Sequence, residues 1–185
     1  MTTTRRVGIA ATAALLLALA ACAPAGTPST AAPEPVAEAI SPSSGNASDP
    51  IAFTAIDVET GEVVDGSVLR GKDTIVWFWA SWCTVCEAES GAIVNAMAEP
   101  DWPADVTIIG VAGLSDAAQA KVFIEEHGVG GFSHVYDTDG SIWQSFGVTG
   151  QPAFAWVNDD GTVTVKQGGI GKWDVLKKAQ ELAAS

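Results

Sequence analysis

Thr74-Ile75-Val76-Trp77-Phe78-Trp79-Ala80-Ser81-Trp82-Cys83-Thr84-Val85-Cys86 is the stretch that decides how this chain folds. Every position from Ile75 to Ala80 is apolar. Such a run suits a strand covered on both faces in the middle of a sheet. It leads directly into a C-x-x-C pair, and a helix-like segment begins at Glu87-Ala88-Glu89. This order places Cys83 at a helix N-terminus, where backbone N–H groups are unpaired and the helix carries partial positive charge. A cysteine so placed has its pKa lowered from about 8.5 into a range of about 3.5–7.5. The thiolate attacks disulfides, and a second cysteine resolves the mixed disulfide that results. Thiol–disulfide exchange is therefore the expected chemistry, with Cys83 as nucleophile and Cys86 as resolving thiol. Such exchange requires no cofactor.

Upstream, residues 1–21 read as a secretory leader. Arg5 and Arg6 precede an apolar run from Val7 to Ala21, short for a spanning helix of about 20 residues. The run closes in Leu19-Ala20-Ala21-Cys22, which resembles a bacterial lipobox. Small side chains before the cut suit the peptidase, and diacylglycerol transfer needs the Cys22 thiol. An ordinary leader with Cys22 incidental is the other reading. The chain has three cysteines. With Cys22 carrying lipid, only the Cys83/Cys86 pair remains, which settles the odd count. A zinc site needs two further ligands. His127 and His134 stand in no finger-like spacing, so no metal is assigned.

Residues 22–50 are rich in Ala, Pro, Ser and Thr and read as a lipid anchor followed by a disordered tether. Residues 51–185 form one domain long enough for a real core. The net charge is −13 over 185 residues, and loss of Arg5 and Arg6 deepens it. A domain so acidic is no partner for nucleic acid or for an anionic membrane surface.

Within the domain, strands are expected at Ile51–Ile56, Val63–Val64, Thr74–Ala80, Asp105–Ala112, Phe132–Tyr136, Ala153–Asn158 and Thr162–Gln167. Helices are expected at Cys83–Ala98, Ser115–His127, Ser141–Phe146 and Lys172–Ala184, with Ile93, Val94 and Met97 as the inward stripe of the first. Asp116 and Gln119 would cap the second. Asp159-Asp160-Gly161 turns a hairpin. The fold class is α/β, a central mixed sheet flanked by helices on both faces. Trp77, Trp79 and Trp156 belong to the core, while Trp82 forms an exposed wall beside Cys83.

Two segments carry a family resemblance. Trp77-Phe78-Trp79-Ala80-Ser81-Trp82-Cys83-Thr84-Val85-Cys86 resembles an F-W-A-x-W-C-x-x-C active-site segment, and Val148-Thr149-Gly150-Gln151-Pro152-Ala153-Phe154 a V-x-G-x-P-x-x-F segment. Together with the hairpin and Gly168-Gly169, they make residues 51–185 similar to the thioredoxin-fold TlpA/ResA/DsbE-like extracytoplasmic thiol–disulfide oxidoreductases. The resemblance implies a thioredoxin-like fold and a redox-active Cys83–Cys86 disulfide. It implies a cis Pro152 against the pair that presents the Gln151 backbone to an extended substrate, and Trp82 as a wall of the site. It also implies that Glu89, three residues after Cys86, sits near the cysteines and handles protons; the other reading is a solvated helix glutamate like Glu87. Implied partners are proteins bearing thiols or disulfides, in cytochrome c maturation or in disulfide formation, and a membrane electron donor or acceptor. The place is outside the cytoplasm, on a lipid at Cys22.

The chain departs from ordinary thioredoxin at Trp77, where a buried Asp would stand. Thr84-Val85 adds no positive charge between the cysteines, so a lower-potential, modestly acidic site is expected. A thioredoxin-fold binding or chaperone module with idle cysteines remains a separate reading. A thiol peroxidase is another, although it would carry a Thr/Ser-x-x-Cys site rather than a C-x-x-C pair.

Overall fold

The apolar run becomes β3 (Thr74–Trp79), buried at every residue. The computed structural model describes residues 44–185. The leader, Cys22 and most of the tether lie outside the described residues. In chain order come β1 (Thr54–Asp57), β2 (Val63–Asp65), a 3-10 turn (Gly66–Leu69), β3, α1 (Thr84–Met97), β4 (Thr107–Ala112) and α2 (Ala117–His127). Then follow β5 (His134–Tyr136), α3 (Ser141–Ser145), β6 (Ala153–Val157), β7 (Val163–Gln167) and α4 (Lys172–Ala183).

The strands form one seven-stranded sheet in the order β2-β1-β5-β4-β3-β6-β7. β3 lies at its interior, parallel to β4 and antiparallel to β6. That position explains the unbroken apolar run, because both faces and both edges of β3 are covered. On one face α1, α2 and α4 pack over Ile75, Trp77, Trp79, Ile108, Phe154 and Trp156. The other face carries Val76, Phe78, Ile109 and Val111, covered by α3, the 3-10 turn and the segment around Ile51 and Phe53.

The first strand starts later than expected. Ile51 and Phe53 are buried, but Ala52 N–H bonds back to Asp49 O, making a turn before Thr54. Ordered contacts begin ahead of residue 51, since Ser44 bridges Thr54 and Arg70 pairs with Asp49. On α1 the inward residues are Cys86, Glu89, Ser90, Ile93 and Ala96, whereas Val94, expected inside, is 37% exposed. The Asp116 side chain caps α2 at the Gln119 N–H, and Gly128 ends it in the left-handed region. Among the described residues no helix is long and apolar enough to cross a membrane.

Candidate active site

β3 delivers the chain to the C-terminal end of the central strands, and the turn Ala80–Cys83 starts α1. Cys83 is the N-cap: its backbone is extended, and its Sγ accepts the Cys86 N–H at 3.1 Å. One orphan donor of the helix end is thereby satisfied by sulfur, and the partial positive charge there favours a thiolate at that atom. Cys83 and Cys86 form a disulfide with Cα atoms 5.2 Å apart. Cys83 is 7% exposed and Cys86 fully buried. An incoming sulfur therefore reaches Cys83 first.

Trp82 is 60% exposed beside this pair. Its indole N–H donates to Leu114 O at 2.8 Å, which fixes the ring as a wall. Leu114 holds a left-handed backbone, φ 54°, and displays its side chain to solvent. Nothing in Gly113-Leu114-Ser115 advertised this role. A groove of about 440 Å³ runs from Ser81 and Trp82 to Val122 and Phe123 of α2.

The Gln151–Pro152 bond is cis. β6 starts at the next residue, and Ala153 pairs with Phe78 near the end of β3. Register thus brings Gln151 and Pro152 to the sheet end that carries the cysteines. Pro152 O accepts the Gly168 N–H at 2.8 Å, which ties this loop to the one between β7 and α4.

Glu89 is not a solvated helix residue. It is 5% exposed, and its Oε1 accepts the Ile170 N–H at 2.6 Å. The Trp77 indole, at the position where thioredoxin carries its Asp, turns toward this carboxylate without reaching hydrogen-bond geometry, so Oε2 has no protein partner among the described residues. Burial pushes the carboxyl up to about 7, against the Ile170 N–H, Trp77 and the Lys166 charge, which favour ionisation. A carboxyl poised there releases or takes a proton near neutral pH. Composition gave no sign of the contributions of Lys166, Gly169 and Ile170, although Gly168-Gly169 marked the loop.

His134 is fully buried, with Nε2 2.9 Å from Val129 O. Burial pushes it down to about 4, which keeps it neutral. It packs among Trp77, Trp79 and Phe132, away from the sulfur chemistry. His127 closes α2. Among the described residues no group of three or more His, Cys, Asp or Glu is arranged to hold a metal ion.

Comparison with known proteins agrees with this geometry. Residues 48–166 match the family model described as AhpC/TSA family. The soluble secreted antigen MPT53 of Mycobacterium tuberculosis H37Rv is 36% identical over 118 residues, 64% of this chain and 65% of that relative. The matched stretch therefore spans just under two thirds of that relative's length. The thiol:disulfide interchange protein DsbE of Pseudomonas fluorescens biotype C is 29% identical over 133 residues, 72% of this chain and 71% of the relative. The solved structure of MTB dsbF in its mixed oxidized and reduced forms superposes with a TM-score of 0.67 at 34% identity, covering 75% of this chain and 99% of that one.

Proposed function

The chain belongs to the AhpC/TSA family, with a thioredoxin-like fold, and from that premise we propose that it is a protein thiol–disulfide oxidoreductase working through Cys83 and Cys86. The observation that carries this reading is the asymmetry of the pair: Cys83 caps α1 at the surface, and Cys86 is buried behind it.

In the oxidising direction a client thiolate attacks Cys83 Sγ. The Cys83–Cys86 bond breaks, and Cys86 leaves as a thiolate that takes a proton from neutral Glu89. The client's second thiolate then attacks the mixed disulfide and releases Cys83. The client keeps a new disulfide, and two electrons rest on the protein as a dithiol. In the reducing direction the Cys83 thiolate attacks a client disulfide. Cys86 then attacks Cys83 Sγ and gives its proton to the Glu89 carboxylate. Direction follows the potential of the partner. Cytochrome c maturation and disulfide formation are the two ends of that range.

Trp82, Val85 and Leu114 make an exposed apolar collar around the cysteines, suited to an extended client, with the Gln151 backbone and cis Pro152 along its other side. The leader-like residues 1–21, Cys22 and the Ala/Pro-rich tether favour an extracytoplasmic protein held to the membrane by lipid at Cys22. The secreted relative supports the compartment.

The test is a trapping experiment with the full chain. Cys86→Ser should accumulate a mixed disulfide between Cys83 and a disulfide-bearing peptide, whose other sulfur leaves as a thiolate, and Cys83→Ser should lower exchange by on the order of 10³-fold or more. Unchanged client maturation with Cys83→Ser would sink the enzymatic reading in favour of a binding module. Catalytic loss of hydrogen peroxide would favour a peroxidase.

A further inference from the structure

Glu89 owes its position to a loop some eighty residues away in sequence. Its Oε1 is bound by the Ile170 N–H at 2.6 Å. The neighbouring Gly169 packs so closely that a Cβ there would lie 2.3 Å from the same oxygen, while meeting Val85 Cγ1 at an ordinary 3.6 Å. Lys166, on β7, donates to Gly169 O at 3.0 Å. Its ammonium thus braces the loop from behind and faces Glu89 with a positive charge. The Gly168 N–H to Pro152 O bond anchors the loop at its other end.

We propose that Lys166, Gly169 and Ile170 are positioning residues which hold the carboxylate of Glu89, on the cysteine-bearing helix α1, and set its grip on its proton. The absent side chain at Gly169 lets the backbone approach. The Ile170 N–H then supplies a bond to a charged acceptor, stronger than one between neutral groups. Lys166 adds a field that water partly screens, because its end is exposed.

The other groups around Glu89 leave room for this control. On its own helix Cys83 and Cys86 carry no charge when joined, and Glu87 points to solvent. Trp77, beneath it on β3, is neutral. α4 packs on α1 and opens with Lys172, engaged by Glu99, and the exposed Asp174. Lys166 is therefore the cation whose field bears on the carboxyl.

Gly169→Ala is a selective probe. The atom it would crowd is the far end of a flexible side chain, not backbone, so the fold persists while Glu89 is pushed off the Ile170 N–H. The measurement is a carboxyl-carbon NMR titration of Glu89 in the oxidised full chain, assigned with Glu89→Gln. We expect the Gly169→Ala midpoint to rise by about 1 unit. Lys166→Met should raise it by about 0.3 units, and Lys166→Arg should restore it. A Gly169→Ala midpoint that stays in place or falls overturns the proposal.

The proposal rests on the reading of Glu89 as the proton carrier, and the two fail separately. If Glu89→Gln exchanges disulfides like the parent at every pH, the carrier role falls, whereas the titration shifts still test the clamp.

Discussion

The two faces of the central sheet are built differently. Beneath α1, α2 and α4, Trp77, Trp79, Trp156, Glu89 and His134 each bury a polar atom with no protein partner among the described residues. The opposite face is an apolar layer around Val76, Phe78, Ile109 and Val111, where Phe78 packs on Trp143 and Phe146, and among the described residues Ser141 Oγ on α3 is the one such atom on that side. Unpartnered buried polar groups cost free energy. The sheet concentrates that cost on the side that holds the sulfur pair and leaves the other side to supply stability.

The largest test of this contrast is steric. Gly110 pairs with both Trp77 and His134, and a Cβ there would lie 2.0 Å from His134 Nδ1 and 2.8 Å from Trp79 Nε1. Gly110→Ala should destabilise the domain by about 3 kcal/mol in urea unfolding. A loss under about 1 kcal/mol would show that this face is loosely packed.

Acid should act next, through His134. Its folded-state pKa is depressed from 6.5 to about 4. The folded protein therefore binds the proton less well than the unfolded chain. This contribution is complete above pH 6.5 and disappears as pH falls through about 4, a change of about 3 kcal/mol. Replacing His134 with Phe should flatten that part of the stability–pH curve.

Glu89 has the opposite sign. Its folded pKa is raised from 4.5 to about 7, so stability is present at low pH and is lost as pH rises through that interval. Glu89→Gln should stabilise the oxidised protein at pH 8 by about 2 kcal/mol, allowing for partial solvation, and by almost nothing at pH 4. An equal gain at both pH values would detach the effect from ionisation.

The smallest effect belongs to the apolar face. Phe78→Leu should cost about 1 kcal/mol, equally at pH 5 and pH 8. A pH-dependent cost would erase the distinction between the faces.

Much of the site was legible because its causes are local. The apolar run of β3, the cysteine at the N-cap of α1, the proline before β6 and the Asp159–Gly161 turn each depend on nearby residues. Glu89 was harder. By sequence it resembles the solvated Glu87 two residues before it, and Ser90 beside it is buried with its Oγ bonded back to Glu87 O at 2.6 Å, while Val94, expected inside, is exposed. Burial of Glu89 is decided by Gly169 and Ile170, brought across by the β6–β7 hairpin. Leu114 was illegible for another reason: a left-handed leucine has no composition signal. Residues 44–50 resemble a tether in composition, yet the Ser44–Thr54 bridge needs only backbone.

Among the described residues the sheet has two open borders, β2 and β7. β2 is three residues long, too short to template another strand. β7 is five residues long and largely solvent-facing, with Lys166 near its middle. A cation on such a border places like charges together whenever a second copy tries to extend the sheet, one of the ways proteins discourage edge-to-edge aggregation. The lysine that braces the loop over Glu89 thus also serves as a gatekeeper of colloidal behaviour. Trading it for an apolar residue would alter how crowded copies of the chain associate.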